Sequence, residues 1–235
     1  MLASTLSRGV HSWSPIVALF SVMNRILAFL EPGRSAASGR EMVELPGGPR
    51  DCVLVLDASP SMEDTDWEPS RLAAALAAAW AFCQRLASVL PDARIALVAY
   101  GEVAVKLCPL IPAARLQKLA DGLGRIRIIS CTNITSGAQA AFNLLKAGRR
   151  PGQVVLLSDG HHNTGPDPRP VAEALKRLAI VETVGIGGSP SAVDEPLLKE
   201  IASSYPSGKK RYRWIGDKND LIQHFDNLAG GISRS

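Results

Sequence analysis

The chain has 235 residues, 46% of them apolar and 20% charged, with a net charge of +4 and a pI of about 9.0. That balance excludes a disordered or fibrous chain, and the length suits one large domain with an extension. The positive excess is mild and is not gathered in one run, so it does not point to nucleic acid.

Residues 15–30, PIVALFSVMNRILAFL, are strongly apolar but interrupted by Asn24 and Arg25. The run is too short and too broken for a comfortable membrane span. No small-x-small cleavage site follows it, as a signal peptide requires. The favoured reading is an amphipathic helical extension over residues 1–31, peripheral to the main domain. A weak membrane-surface anchor through 15–30 and a mis-assigned start are its alternatives. Residues 32–50 are rich in Gly, Pro, Ser and Ala and read as a linker.

From residue 51 the pattern is that of one domain. CVLVL (52–56) is a continuous apolar run, as expected of a strand covered on both faces. A helix follows over about 70–90, where Leu72, Leu76, Cys83, Leu86 and Leu90 recur at three- and four-residue spacing. Ser70 is its candidate N-cap and Pro91 marks its far end. RIALVAYG (94–101) and VAVKLCPL (103–110) read as a hairpin, and short helices fit 112–121 and 134–147. QVVLLSD (153–159) is a second buried strand, and a helix over 169–178 leads to a third, IVETVGIGG (180–188). A helix over 193–204, a strand RYRWI (211–215) and a helix over 218–228 close the chain. This alternation predicts an α/β fold: a doubly wound, mostly parallel sheet with one antiparallel edge strand and helices on both faces. In such sheets ligands bind at the carboxyl ends of the strands.

Three polar clusters fall at those ends. The first is Asp57-x-Ser59-x-Ser61; the second is SCTNITSG (130–137); the third is SDG, with Asp159. They offer two carboxylates and several hydroxyls, and neither thiolate nor imidazole at matching positions. That donor set suits a hard cation such as Mg²⁺, which takes six oxygens and keeps some of its waters. Alternate spacing in an extended loop would turn Asp57, Ser59 and Ser61 to one side. The acids Glu63, Asp64 and Asp66 read as solvated surroundings that attract a cation, not as ligands.

DASPS, the threonine of CTNIT and SDG, in this order and spacing, resemble the metal-ion-dependent adhesion site (MIDAS) of von Willebrand factor A domains. LLSDGHHNTGPDP, and VGIGG followed by VDEPLLKEIA, are similar to segments of bacterial members. The resemblance covers about 52–230. It implies a Rossmann-like vWA fold and a metal held by Asp57, Ser59, Ser61, Thr132 and Asp159, the last directly or through water. Thr135 competes with Thr132 for the threonine position. The cation implied is Mg²⁺, with Mn²⁺ or Ca²⁺ as alternatives. One coordination position would be left to a glutamate or aspartate of a partner protein. Bacterial relatives often act beside AAA+ ATPases of the MoxR type, or in stress-related assemblies. Pro60 and Cys131 stand where many members carry glycine; neither is a ligand position.

The function expected is therefore a non-enzymatic, metal-dependent interaction module in the cytoplasm, with peripheral membrane association through 15–30 as a variant. The alternatives are a membrane-tethered interaction protein and a metal-dependent phosphoester hydrolase, for which only His161 or His162 could serve as base. GKKRYRW (208–214) interleaves basic and aromatic residues. Its favoured reading is an edge strand guarded by basic side chains, not a single-strand nucleic-acid platform. The four cysteines have no metal-ligand spacing and read as small buried hydrophobes in a reducing compartment.

Overall fold

The structure, a computed structural model, describes residues 50–232. The extension expected over 1–31 and the linker up to residue 49 lie outside the described residues. In chain order the elements are β1 (Asp51–Asp57), α1 (Arg71–Val89), β2 (Arg94–Tyr100), β3 (Ala104–Pro112), α2 (Leu116–Leu123) and α3 (Ile134–Leu145). Then follow β4 (Gly152–Ser158), α4 (Arg169–Lys176), β5 (Ala179–Ile186), α5 (Glu195–Ile201), β6 (Tyr212–Ile215) and α6 (Lys218–Ile232). The strands form one sheet in the order β3-β2-β1-β4-β5-β6. Every pairing is parallel except β2 with β3, which is antiparallel and lies at one edge. The doubly wound, mostly parallel architecture with one antiparallel edge strand is thus the fold adopted.

Alternation along β1 explains why the sheet is covered twice. Cys52, Leu54 and Leu56 enter a core with α1 and α6, centred on Phe82 and Phe225, while Val53 and Val55 enter a second with α3 to α5. All seven residues of β1 are buried, so its sequence reads as an unbroken apolar run and not as an alternation. The rings of Phe82 and Phe225 meet edge-on with centroids 6.4 Å apart. Truncating either to alanine would cost about 3–5 kcal/mol. Helix α1 begins where expected because the Ser70 hydroxyl accepts the Ala73 amide at 3.2 Å. Among the described residues α1 alone is long and apolar enough to cross a membrane. Its Ala74, Ala78, Phe82 and Leu86 are fully buried in the domain core, which accounts for that composition.

The last helix runs on to Ile232, beyond the expected 228, and the helix expected over 193–204 is shorter, Glu195–Ile201; the larger differences lie at β3 and α2. Strand β3 continues to Pro112, opposite Arg94, with irregular register near Leu97. Pairing with β2 holds residues 110–112 extended, so α2 starts at Leu116 and not near 112. At the other edge, β6 pairs with β5 alone. Arg211 does not guard that edge from solvent: it is buried, 2.5 Å from Glu182, with its guanidinium 3.9 Å from the Tyr205 ring centroid. Burial pushes the Glu182 carboxyl up, and Arg211 opposes that shift. The pair therefore belongs to the core, where a charge persists only with a partner.

The chain leaves β1 towards β2 on one side and later crosses to β4 on the other. The order reverses between β1 and β4, and that switch point is where the carboxyl ends of the strands open a crevice. Asp57 ends β1 and Asp159 directly follows β4.

Candidate metal centre

Asp57 is fully buried. Its Oδ1 accepts the Ser59 amide at 2.8 Å; its Oδ2 accepts the Ser158 hydroxyl at 2.9 Å and the Tyr100 hydroxyl at 3.2 Å. The chain is extended at Ser59, then turns into a 3-10 helix over Pro60–Glu63. An extended loop through Ser61 is therefore not what forms: the fixed φ of Pro60 suits the first position of a helical turn. The turn still brings the Ser59 and Ser61 hydroxyls to 3.2 Å, and Met62, wholly buried, anchors it below.

The second loop is tied to the first by backbone. Ile129 N–H donates to Ala58 O at 2.7 Å, and Asn133 N–H to Gly101 O at 3.0 Å. Gly101 is required where these segments cross: a Cβ there would fall 2.6 Å from Ile129 Cβ. Cys131 adopts φ 57°, the left-handed conformation that explains why glycine suits this position. It is part-exposed, unlike Cys52, Cys83 and Cys108; all four are free. Thr132 follows, 4% exposed.

The third loop places Asp159, 2% exposed, beside the others. Ser61 donates to Asp159 Oδ1 at 2.8 Å. A Cβ built on Gly160 would sit 3.8 Å from Thr132 Oγ1 and 3.9 Å from Ser61 Oγ, so these hydroxyls border one space next to Asp159. Thr135, the competing threonine, instead donates its hydroxyl to Pro166 O. The third loop clamps the second. Asn163 Oδ1 accepts the Thr132 amide at 2.9 Å, Asn163 N–H donates to Thr132 O at 3.0 Å, and His162 Nδ1 accepts the Ile134 amide at 3.2 Å.

Sequence reasoning missed Arg71. Its guanidinium grips Asp66 with two bonds, 2.9 and 2.8 Å, and donates to Asp159 Oδ2 at 3.0 Å. Asp64 stands 3.5 Å away. Asp64 and Asp66 are thus not merely solvated: they share a half-buried arginine with Asp159. Ser158 and Tyr100 were missed as well. The one local signal for Arg71 was its place directly after the N-cap serine, on the helix start that faces the strand ends.

Electrostatics completes the site. Burial pushes the Asp57 carboxyl up to about 6, with the neighbouring Asp159 charge adding to the shift and the Ser59 and Ser158 hydrogen bonds opposing it. Burial also raises Asp159, with Ser61 and Arg71 opposing. Asp66 is lowered, chiefly by Arg71. The bonds that hold Asp57 come from neutral donors, so its buried charge calls for a cation. Among the described residues no three His, Cys, Asp or Glu side chains gather as metal ligands. The available donors are two carboxylates and three hydroxyls. That set fits a hard divalent ion and poorly suits a soft one.

A doubly wound domain with hydroxyls and carboxylates converging on its switch point defines a class of cation-binding α/β modules. Residues 52–162 match the family model of the von Willebrand factor type A domain, and the chain carries such a domain. Among curated relatives, a UPF0353 protein of Mycobacterium tuberculosis is 25% identical over 232 residues, covering 86% of this chain and 66% of the relative. One from Mycolicibacterium paratuberculosis is 33% identical over 144 residues, covering 57% of this chain and 42% of the relative. The chain thus spans at most 66% of the length of these relatives. A von Willebrand factor type A structure from Catenulispora acidiphila superposes with TM-score 0.63 at 18% identity, covering 79% of this chain and 43% of that one. Proximal thread matrix protein 1 of the mussel byssus, described with a zinc-occupied MIDAS motif, gives TM-score 0.61 at 19% identity, covering 78% and 45%. At these identities the solved structures speak for the fold alone.

Proposed function

We propose that this domain is a metal-dependent protein–protein interaction module, with Asp57, Ser59, Ser61, Thr132 and Asp159 as the residues that hold a divalent cation, Mg²⁺ in the first place. The observation that carries this reading is Asp57: a buried carboxylate, raised to about 6, bonded by neutral donors and facing a second buried carboxylate. A divalent cation there supplies a Lewis-acidic socket for the carboxylate of an incoming glutamate or aspartate. The zinc-occupied site of the mussel protein supports a divalent ion at this place in the fold.

The chain's own residues do the rest. Ser61 donates its hydroxyl hydrogen bond to Asp159 Oδ1, which leaves its oxygen lone pairs for the ion. Tyr100, Ser158 and Arg71 fix the two carboxylates before any partner arrives. The partner is a protein presenting Glu or Asp; an AAA+ ATPase of the MoxR type is the first candidate, by family analogy alone. The four free cysteines support a reducing, cytoplasmic setting.

Hydrolysis finds no support in the geometry. His162 spends Nδ1 on the cap of α3, which leaves exposed His161 as the remaining base. The decisive experiment is capture of partners from native lysate on the immobilised full chain, in Mg²⁺ and in EDTA, with Asp57→Ala as control. The expected result is a partner retained in Mg²⁺ and lost in both other conditions. Equal capture in excess EDTA would overturn the reading.

A further inference from the structure

Every oxygen of the two carboxylates accepts at least one hydrogen bond, and the outer ones are held most firmly. Asp57 Oδ2 is capped by the Ser158 hydroxyl at 2.9 Å and the Tyr100 hydroxyl at 3.2 Å. Asp159 Oδ2 is capped by Arg71 at 3.0 Å, while its Oδ1 accepts the Ser61 hydroxyl's hydrogen bond at 2.8 Å. These caps cannot easily swing away. Arg71 is 12% exposed and is itself held by a two-bond grip on Asp66. Tyr100 is fully buried and pressed between β1 and α3, where a Cβ on Gly137 would come within 3.0 Å of its ring.

Cations differ in what they ask of a carboxylate. Ca²⁺ takes about six to eight oxygens and commonly uses both oxygens of one carboxylate. Mg²⁺ takes about six in strict octahedral geometry, keeps waters and accepts single oxygens. Asp57 Oδ2 already accepts two hydrogen bonds and Asp159 Oδ2 accepts one from the cationic Arg71, so a two-oxygen chelate at either carboxylate must displace these donors, whereas each Oδ1 accepts one bond and keeps a lone pair for the ion.

We propose that Arg71, Tyr100 and Ser158 determine cation specificity: by occupying the outer oxygens of Asp159 and Asp57 they exclude two-oxygen chelation and select Mg²⁺ over Ca²⁺. They are positioning residues that act through the two aspartates. The proposal rests on the metal-binding reading above and adds which residues choose the ion.

The test is calorimetric titration of the EDTA-stripped, dialysed full chain with MgCl₂ and with CaCl₂. Wild type binds Mg²⁺ about tenfold or more tighter than Ca²⁺. Arg71→Met keeps the aliphatic stem and loses the donors; the pair Tyr100→Phe with Ser158→Ala uncaps Asp57. Each lowers the Mg²⁺/Ca²⁺ preference by about tenfold, mainly by tightening Ca²⁺. Arg71→Lys, which can still donate to Asp159, keeps the preference within about threefold. A fold that is merely weakened loses affinity for both ions together and leaves their ratio in place. If Arg71→Met does not fold in a thermal melt, the Tyr100 and Ser158 pair decides. An unchanged ratio in the folded variants, or a wild type that prefers Ca²⁺, overturns the proposal and leaves the metal reading standing. A wild type that binds neither ion overturns the metal reading itself.

Discussion

A Cβ on Gly137 of α3 would fall 2.8 Å from Val55 Cγ1 and 3.0 Å from the Tyr100 ring. Helix glycines on open surface are normally improved by alanine, by up to ~1 kcal/mol. Here the added methyl must push either the sheet or the tyrosine whose hydroxyl holds Asp57. Gly137→Ala is expected to cost about 1–3 kcal/mol and to weaken cation binding in parallel. Gly231→Ala in α6, where a Cβ meets nothing within 4 Å, serves as the control and should be neutral or stabilising in the same melts. The contrast marks what single residues disclose in sequence. Asp57, Ser59 and Ser61 are legible because they are adjacent. The groups that hold Asp57 and Asp159 are not: Tyr100 is 43 residues from Asp57, Ser158 is 101, and Arg71 is 88 from Asp159. No local pattern links them: the pairing of β1 with β2 and β4 brings Tyr100 and Ser158 to Asp57, and the start of α1 brings Arg71 to Asp159.

Two strand-end loops, after β1 and β4, and the segment joining α2 to α3 make the site, and one of them governs another. Asn163 bonds both backbone groups of Thr132, which is 4% exposed, so removing its side chain takes the partner from the Thr132 amide and loosens the clamp. Asn163→Ala should cost about 0.5–1.5 kcal/mol. It should also weaken cation affinity by about tenfold, although Asn163 is not among the proposed ligands. Chemical unfolding and metal titration of the same variant check both numbers; unaltered affinity would show that Thr132 needs no clamp. The elements themselves were largely readable. Continuous apolar runs marked the buried strands, and Ser70 and Pro91 bracketed α1. What sequence missed follows from tertiary context. Residues 110–112 have no strong local preference that beats pairing with β2, and Pro60 converts an expected extended loop into a turn.

Across the whole molecule, buried titratable groups pull stability in opposite directions with pH. His224 in α6 lies against the domain, and burial lowers its imidazole to about 4, with Arg213 of the neighbouring strand adding to the shift. In the unfolded chain it titrates near ~6.5. Between those values the folded state binds fewer protons than the unfolded one, so stability falls as pH drops from about 6.5 towards 4. Asp57, Asp159 and Glu182, raised by burial, act with the opposite sign: the fold holds their protons more tightly, and their effect favours it at acid pH. The wild-type curve is the sum of both, so only a difference isolates the histidine. His224→Gln keeps a polar group of similar size and cannot charge. Relative to wild type it should gain stability steadily below pH ~6.5 and show a constant offset above it. Urea midpoints for the two proteins at pH 7.5 and 4.5 measure this directly. The same offset at both pH values would mean that His224 is protonated in the fold as readily as out of it, and that the α6 side of the core admits more water than its packing suggests.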